Sequence, residues 1–511
     1  MKKLVALFSI ALILVSFTVL NTSCKKEEPI TPKPENPNEY VNNWIYERMT
    51  TYYYWNDKIP AKPDYTLASP EFFKSLIYTF DKNTNPDGDR FSVIRENYVD
   101  LLNSLGGVSS DEIGFEYVPV NVSSQEAVTK QYYLLVLYPK LNTDAYKQGV
   151  KRGRFIVKID NQDITNNNYK TLISGTGSKT LTFADWVYNE EAKEYELKLS
   201  PNTITIQMHK NFAENPVYLD SVYSINDKKI GYLVYNFFAT DKGDGSYEYD
   251  KKLMDALQRT KSKGATEFIL DLRYNGGGAV SSAIALASAL VKNRSTQNLL
   301  ISTEYNPLVH KYFEQEYGKG YNKEYFIDKI VDVKYDDNGK LISRSDVAAV
   351  PALNLPRLYV LVSEWTASAS ELIINGLKPY MDVILIGETT VGKNVGSFTI
   401  YEKNDPKNKW GMLPITFKYF NSAGKSDFAA GFIPDYEISE WENLVLKEFG
   451  DKEELFLNKA LSLITGTALK SATRIIKTNT DLKAVKSSQS MKITEMYDDK
   501  RQEVIRNIMN K

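Results

Sequence analysis

Histidine is almost missing from this chain: among its 511 residues only His209 and His310 are histidines. A hydrolytic triad built on an imidazole base has little to draw on here. Cysteine is scarcer still. Cys24 stands alone, so no intrachain disulfide can form and its thiol is free for another use. An excess of one charge is lacking too: 63 Lys and Arg against 64 Asp and Glu leave a formal net charge of −1. Such a balance gives no bulk attraction to nucleic acid, and no nucleic-acid partner is expected. What the chain does have is length enough for several domains and an ordinary share of apolar residues, 42%.

The N-terminus carries a processing signal. Lys2 and Lys3 precede an apolar run over 4–20, and Asn21-Thr22-Ser23 lead into Cys24. A basic start, an apolar centre and small residues before a cleavage point describe a secretory signal peptide over 1–23. The run is marginal in length for a membrane span. The arrangement resembles a bacterial lipoprotein signal, which implies lipidation of Cys24 and attachment to a membrane through that lipid. Leu20 lies one residue further from the cysteine than in the usual pattern. Pro29, Pro32, Pro34 and Pro37 then make 24–38 a stiff, extended tether. Its Lys26-Glu27-Glu28 is similar to the surface-export signal of Bacteroidetes lipoproteins. That likeness implies a cell-envelope lipoprotein of the outer membrane, surface-exposed or periplasm-facing.

Residues 39–106 read as a small helical cap. Val41, Trp44, Ile45, Met49 and Tyr52 recur at helical spacing, a second helix is expected over 70–80, and a third over 96–105. From Ile113 the pattern becomes short strands, at 132–137, 155–159 and 204–208, with a single helical turn over 144–149. This order over 107–212 resembles a PDZ domain. Arg154 and Asn161 depart from that pattern, at positions where an aspartate and a glycine are usual. His209 reads as structural.

Strands and helices alternate over 213–465. Strands are expected at 230–238, 267–272, 358–362 and 383–386, and helices at 252–263, 279–291, 369–377 and 451–465. A polar, Tyr-rich insertion at 296–356 interrupts the order, and Asp336-Asp337-Asn338-Gly339 within it signals a hairpin turn. Gly466 is a helix stop. The tail over 466–511 is polar and Lys-rich, with a last helix expected over 498–509.

The chemistry concentrates in one αβ unit, from Thr366 to Lys393. Ser368 sits at a strand-to-helix transition among alanines, where a reacting carbonyl meets little obstruction. Ala369 would offer a backbone N–H at the first helical turn. The glycines Gly276 and Gly277, in the turn Asn275-Gly276-Gly277-Gly278 at an equivalent strand end, could bring a second. With histidine this scarce, Lys393 is the base available in these motifs. It can act only when neutral, which requires desolvation to pull its pKa below about 10.4. Each residue has a plainer use: Ser368 as a helix N-cap, the glycines as a tight turn, Lys393 as a surface cation. Gly387 to Lys393 also fits the first seven positions of a phosphate-binding loop. Asn394 stands where that loop needs Ser or Thr, and a β-prone stretch follows where it needs a helix.

Asp271-Leu-Arg-Tyr-Asn-Gly-Gly-Gly278, Ser-Ala-Ser-Glu at 368–371 and Gly392-Lys393 resemble the C-terminal processing (tail-specific) serine peptidases, as does Gly431-Phe-Ile-Pro-Asp435. The resemblance implies an α/β crotonase-like core with an inserted PDZ-like domain. It also implies that Ser368 is the nucleophile and Lys393 the general base, with the oxyanion bound by amides of the glycine turn and of Ala369. Substrates would be peptides or proteins, with no metal and no cofactor. Ser397 stands where many members carry a glutamine that orients the lysine. The alternative is a non-catalytic peptide- or ligand-binding surface lipoprotein on the same fold, for which an intact Ser–Lys pair would be unnecessary.

Overall fold

The computed structural model describes residues 38–124, 131–335, 341–442, 445–467, 480–484 and 497–499. The signal peptide, Cys24 and nearly all of the tether lie outside them, as does most of the helix expected over 498–509.

Helix α1 (Glu39–Tyr52) buries Val41, Trp44, Ile45, Met49 and Tyr52, the face expected from their spacing. Helix α2 (Ser69–Ser75) is shorter than expected. Beyond it, Tyr78-Thr79-Phe80 turns extended and pairs with the chain returning through Asp89: Phe80 donates to the Asp89 carbonyl and Asp89 to that of Tyr78. The β-preference of these residues outweighs the helical spacing once a pairing partner is at hand. Helix α3 (Tyr98–Leu105) starts on Asn97, whose side chain accepts from the Val99 amide.

A largely antiparallel sheet follows. Its strands are β1 (Phe115–Ser124), β2 (Gln131–Pro139), β3 (Phe155–Ile159), β4 (Ser178–Asn189) and β5 (Glu194–Gln207), hydrogen-bonded in that order. Residues Thr480–Ala484 of the tail pair antiparallel with β1 and extend the sheet. His209 Nε2 accepts from the Asp144 amide at 2.8 Å, a structural contact.

The central sheet has six strands in the order β6 (Val217–Ile225), β7 (Lys228–Tyr235), β8 (Glu267–Asp271), β9 (Arg357–Val362), β10 (Asp382–Gly387) and, beyond it, Tyr436–Glu437. Only the β6–β7 pair is antiparallel. Side chains alternate between its faces. Leu233, Leu270, Val360 and Leu385 join one core with helices α4 (Glu248–Ser262), α5 (Val280–Leu290) and α6 (Ala369–Leu377). Val234, Ile269, Leu361 and Ile386 join the other, with helix α7 (Leu455–Thr465) and with Val118, Leu135 and Phe155 of the first sheet. Burial on both faces explains why these strands read as nearly continuous apolar runs. Gly466 closes α7 in a left-handed conformation, φ 66°.

Two expectations change. The strand expected over 230–238 ends at Tyr235, and Phe238 instead meets the glycine turn, donating to the Gly277 carbonyl at 2.8 Å. The insertion is also more than a polar excursion. Its segment Leu299–Tyr305 pairs with β12 (Ile415–Asn421), which in turn pairs with β11 (Val395–Ser397). Lys329–Tyr335 and Leu341–Ala349 form the expected antiparallel hairpin, with turn residues 336–340 outside the described set.

Candidate active site

The C-terminal ends of β8, β9 and β10 deliver three loops to one place, as open α/β sheets do at the ends of their parallel strands. The loop after β8 carries the glycine turn, the loop after β9 carries Ser368, and the loop after β10 carries Lys393.

Ser368 has φ 65° and ψ −116°, a conformation that non-glycine residues rarely adopt and that costs about 1–3 kcal/mol. Its hydroxyl is fully buried and makes no hydrogen bond among the described residues. The strain is held from three sides. The Ser368 amide donates to Glu371 Oε2 at 2.8 Å, its carbonyl accepts from the Leu372 amide at 2.8 Å, and the Tyr419 hydroxyl donates to that carbonyl at 3.4 Å.

Glu371 was read from the sequence only as part of a motif. Its carboxylate is wholly buried and accepts four hydrogen bonds: from the amides of Ser368, Gly392 and Lys393, at 2.8, 2.6 and 2.8 Å, and from Thr390 Oγ1 at 2.6 Å. Burial pushes its pKa up, and the four donors work against that rise. The side chain thereby ties the start of α6 to the loop that bears Lys393. The signal available in the sequence was the Ser-x-x-Glu spacing, which matches a capping box. Here its glutamate serves two loops at once.

Lys393 is 1% exposed, with Nζ 5.1 Å from the centre of the Phe91 ring. Arg90, another residue the sequence did not single out, secures the base loop from outside. Its guanidinium donates to the Val391 carbonyl at 2.9 Å and to that of Ala429 at 2.8 Å. Gly392 permits this packing: with φ 88°, an added Cβ would lie 2.3 Å from the Ala429 carbonyl oxygen.

The glycine turn abuts the serine. Gly277 has φ 110°, and a Cβ there would sit 2.6 Å from Ser368 Cβ and 3.0 Å from its Oγ. Its amide, expected to help bind an oxyanion, is engaged with Asn275 Oδ1 at 2.9 Å. Among the described residues no acceptor engages the amides of Gly276 and Gly278, and Ala369, first in α6, has no acceptor within its helix. Ser397 lies at the end of β11, where its carbonyl accepts from the Asp498 amide at 3.2 Å.

Beneath the turn lies a buried ion cluster. Arg273 donates to both oxygens of Asp271, at 2.9 and 2.8 Å, to Glu440 at 2.6 Å and to both oxygens of Glu454, at 2.6 and 3.0 Å. Arg152, from the loop between β2 and β3, reaches the same Glu440 and the Tyr274 hydroxyl. The carboxylates hold the Arg273 pKa well above the usual guanidinium value despite the cost of its burial. The two histidines lie elsewhere: His310 Nδ1 pairs with the exposed Tyr321 hydroxyl, and His209 with Asp144 as above.

The family described as Peptidase family S41 matches residues 229–438, and its companion, the Peptidase S41 N-terminal domain, matches residues 40–93. The chain is 25% identical over 409 residues to the carboxyl-terminal-processing protease of Picosynechococcus sp., covering 78% of this chain and 83% of that one. It is 23% identical over 402 residues to the carboxy-terminal processing protease CtpA of Bacillus subtilis, covering 77% and 69%. Among solved structures, a putative S41 protease from Bacteroides fragilis superposes with a TM-score of 0.65 at 25% identity, covering 83% of this chain and 97% of that one.

Proposed function

The chain belongs to peptidase family S41 and is a serine peptidase, and from that premise we propose that it cleaves peptide or protein substrates by acylating Ser368, with Lys393 as general base. The observation that carries the assignment is the strained Ser368, held by the same carboxylate that holds the Lys393 main chain. A serine that merely capped a helix would not need such a conformation.

In the acylation step Ser368 Oγ attacks the scissile carbonyl carbon while its proton passes to neutral Lys393 Nζ. The oxyanion lies against the Ala369 amide and an amide of the glycine turn. Lys393 then gives the proton to the leaving amine as the C–N bond breaks. Water, deprotonated by the same amine, hydrolyses the ester.

The finer architecture belongs to the same proposal. The alternating core over 213–465 is taken as crotonase-like, and the five-stranded unit over 107–212 as PDZ-like. The helices α1 to α3 serve as the cap over 39–106. Cys24 is taken as the lipidated N-terminus of an outer-membrane lipoprotein, a reading supported by the sequence pattern alone. Metabolic labelling with a palmitate analogue, lost in Cys24→Ala, tests it.

The direct test of the chemistry is cleavage of an unfolded protein substrate by wild type, Ser368→Ala and Lys393→Ala. Both variants are expected to fold and to lose cleavage, with wild-type activity rising toward alkaline pH as the base loses its proton. Full activity in either variant would remove the assignment. Mass-spectrometric mapping of a fluorophosphonate adduct should identify Ser368.

A further inference from the structure

The dyad is closed off. Ser368 is 0% and Lys393 1% exposed, although a scissile carbonyl must reach the serine Oγ. Beside them runs a short piece of the chain's own C-terminus, Tyr497 to Asp499. Tyr497 forms parallel bridges with Ala279 on one side and with Ser397 on the other. Its amide donates to the Gly278 carbonyl, its carbonyl accepts from the Val280 amide, and the Asp498 amide donates to the Ser397 carbonyl, all at 3.2 Å. The Asp499 carboxylate accepts from the Ser281 amide at 3.1 Å and from the Ser281 hydroxyl, in the first turn of α5. Asp498 itself is 2% exposed.

One edge of this slot is the glycine turn running into α5, whose Gly277 touches Ser368. The other is the end of β11, four residues beyond Lys393 in the chain. A strand seated between these edges has its main chain fixed by hydrogen bonds that no side chain dictates, which is how sheet edges accept extended polypeptides of many sequences. The added carboxylate contact at a helix start favours an acidic side chain at one position.

On the strength of the peptidase reading of Ser368, we propose that this slot is where the substrate polypeptide binds as an extended strand, and that residues 497–499 are its resident competitor. The tail must leave before a substrate strand can enter. Because it is tethered, its effective concentration is on the order of millimolar, so a weak strand suffices to keep the site occupied. The fold thus carries an intrasteric block, and the preferred substrate is an extended segment with an acidic residue where Asp499 now lies.

The test keeps the full chain and changes Tyr497→Pro together with Asp498→Pro, which deletes both donating amides. Fluorophosphonate labelling of Ser368 is expected to speed up at least tenfold and KM for a polypeptide to fall, with kcat little changed. Asp499→Asn should give a smaller change in the same direction. Unchanged labelling and unchanged KM in the double-proline variant would overturn the proposal. A second readout is independent of catalysis. In a Ser368→Ala background the Val280 amide should be protected from hydrogen exchange, and the two prolines should remove that protection. Protection that persists overturns the occupancy. Protection that depends on protein concentration overturns it in favour of a tail donated by a second copy. If no variant is labelled while Val280 responds, the occupancy stands and the peptidase reading is what fails.

Discussion

Ser368 and Lys393 donate their backbone amides to one and the same oxygen, Oε2 of Glu371, each at 2.8 Å. Their main chains therefore lie within twice that distance of each other, although a helix and a strand separate them in the chain. The carboxylate sets the spacing of nucleophile and base without touching substrate.

Glu371→Gln replaces one acceptor oxygen with an NH2 that cannot receive these amides. Two buried donors would go unmet, at about 1–3 kcal/mol each. We expect kcat to fall at least a hundredfold with little change in KM, and the denaturation midpoint to drop. Steady-state kinetics and chemical denaturation on the same preparation check both.

The same residue gives a pH signature. Its pKa is raised in the folded protein above the ordinary 4.5. Between the unfolded and folded values the native state holds more protons, so stability falls as pH rises through that window. Below 4.5 the carboxyl is protonated in both states and the contribution is fully present. Denaturation of wild type and Glu371→Gln from pH 4 upward should show wild type losing stability relative to the variant as pH rises.

Gly277→Ala places a Cβ 2.6 Å from that of Ser368, at a φ of 110° that alanine tolerates poorly. Either the serine or the turn must shift. Labelling of Ser368 by a fluorophosphonate is expected to slow more than a hundredfold, with a smaller loss in thermal midpoint.

Arg273→Met leaves Asp271, Glu440 and Glu454 buried with one fewer cation. Breaking such a group from one side costs about 3–5 kcal/mol. Urea denaturation should report that loss. A variant as stable as wild type would show that the cluster is not what holds the turn.

Arg90→Ala removes the bonds to the Val391 and Ala429 carbonyls while leaving every group of the dyad in place. We expect kcat to fall about tenfold and the alkaline rise of the pH–rate profile to shift. Arg90→Lys, which can keep one of those bonds, should restore part of the rate.

The α/β order, the serine corner and the lysine loop were legible in the sequence because each rests on local pattern: apolar runs for doubly covered strands, small residues before a helix, glycines at a turn. Helix α6 was expected over 369–377 and runs Ala369–Leu377. Helix α2 was overestimated because the pairing of Tyr78 with Asp89 is a contact between segments, invisible to periodicity. Glu371 and Arg90 escaped for a related reason. Each works on main-chain groups far along the chain, and neither partner's sequence advertises a backbone acceptor or donor. The tail offered even less, since a strand that binds by its backbone has no side-chain signature.

Arg152 gives the ion cluster a further meaning. It comes from the loop between β2 and β3, yet it shares Glu440 with Arg273, whose main chain leads directly into the glycine turn. The two guanidinium groups thus have one counter-ion in common. Removing either one leaves three buried carboxylates, Asp271, Glu440 and Glu454, facing a single cation. The five-stranded unit and the loop that lies against the nucleophile thus meet at one shared carboxylate.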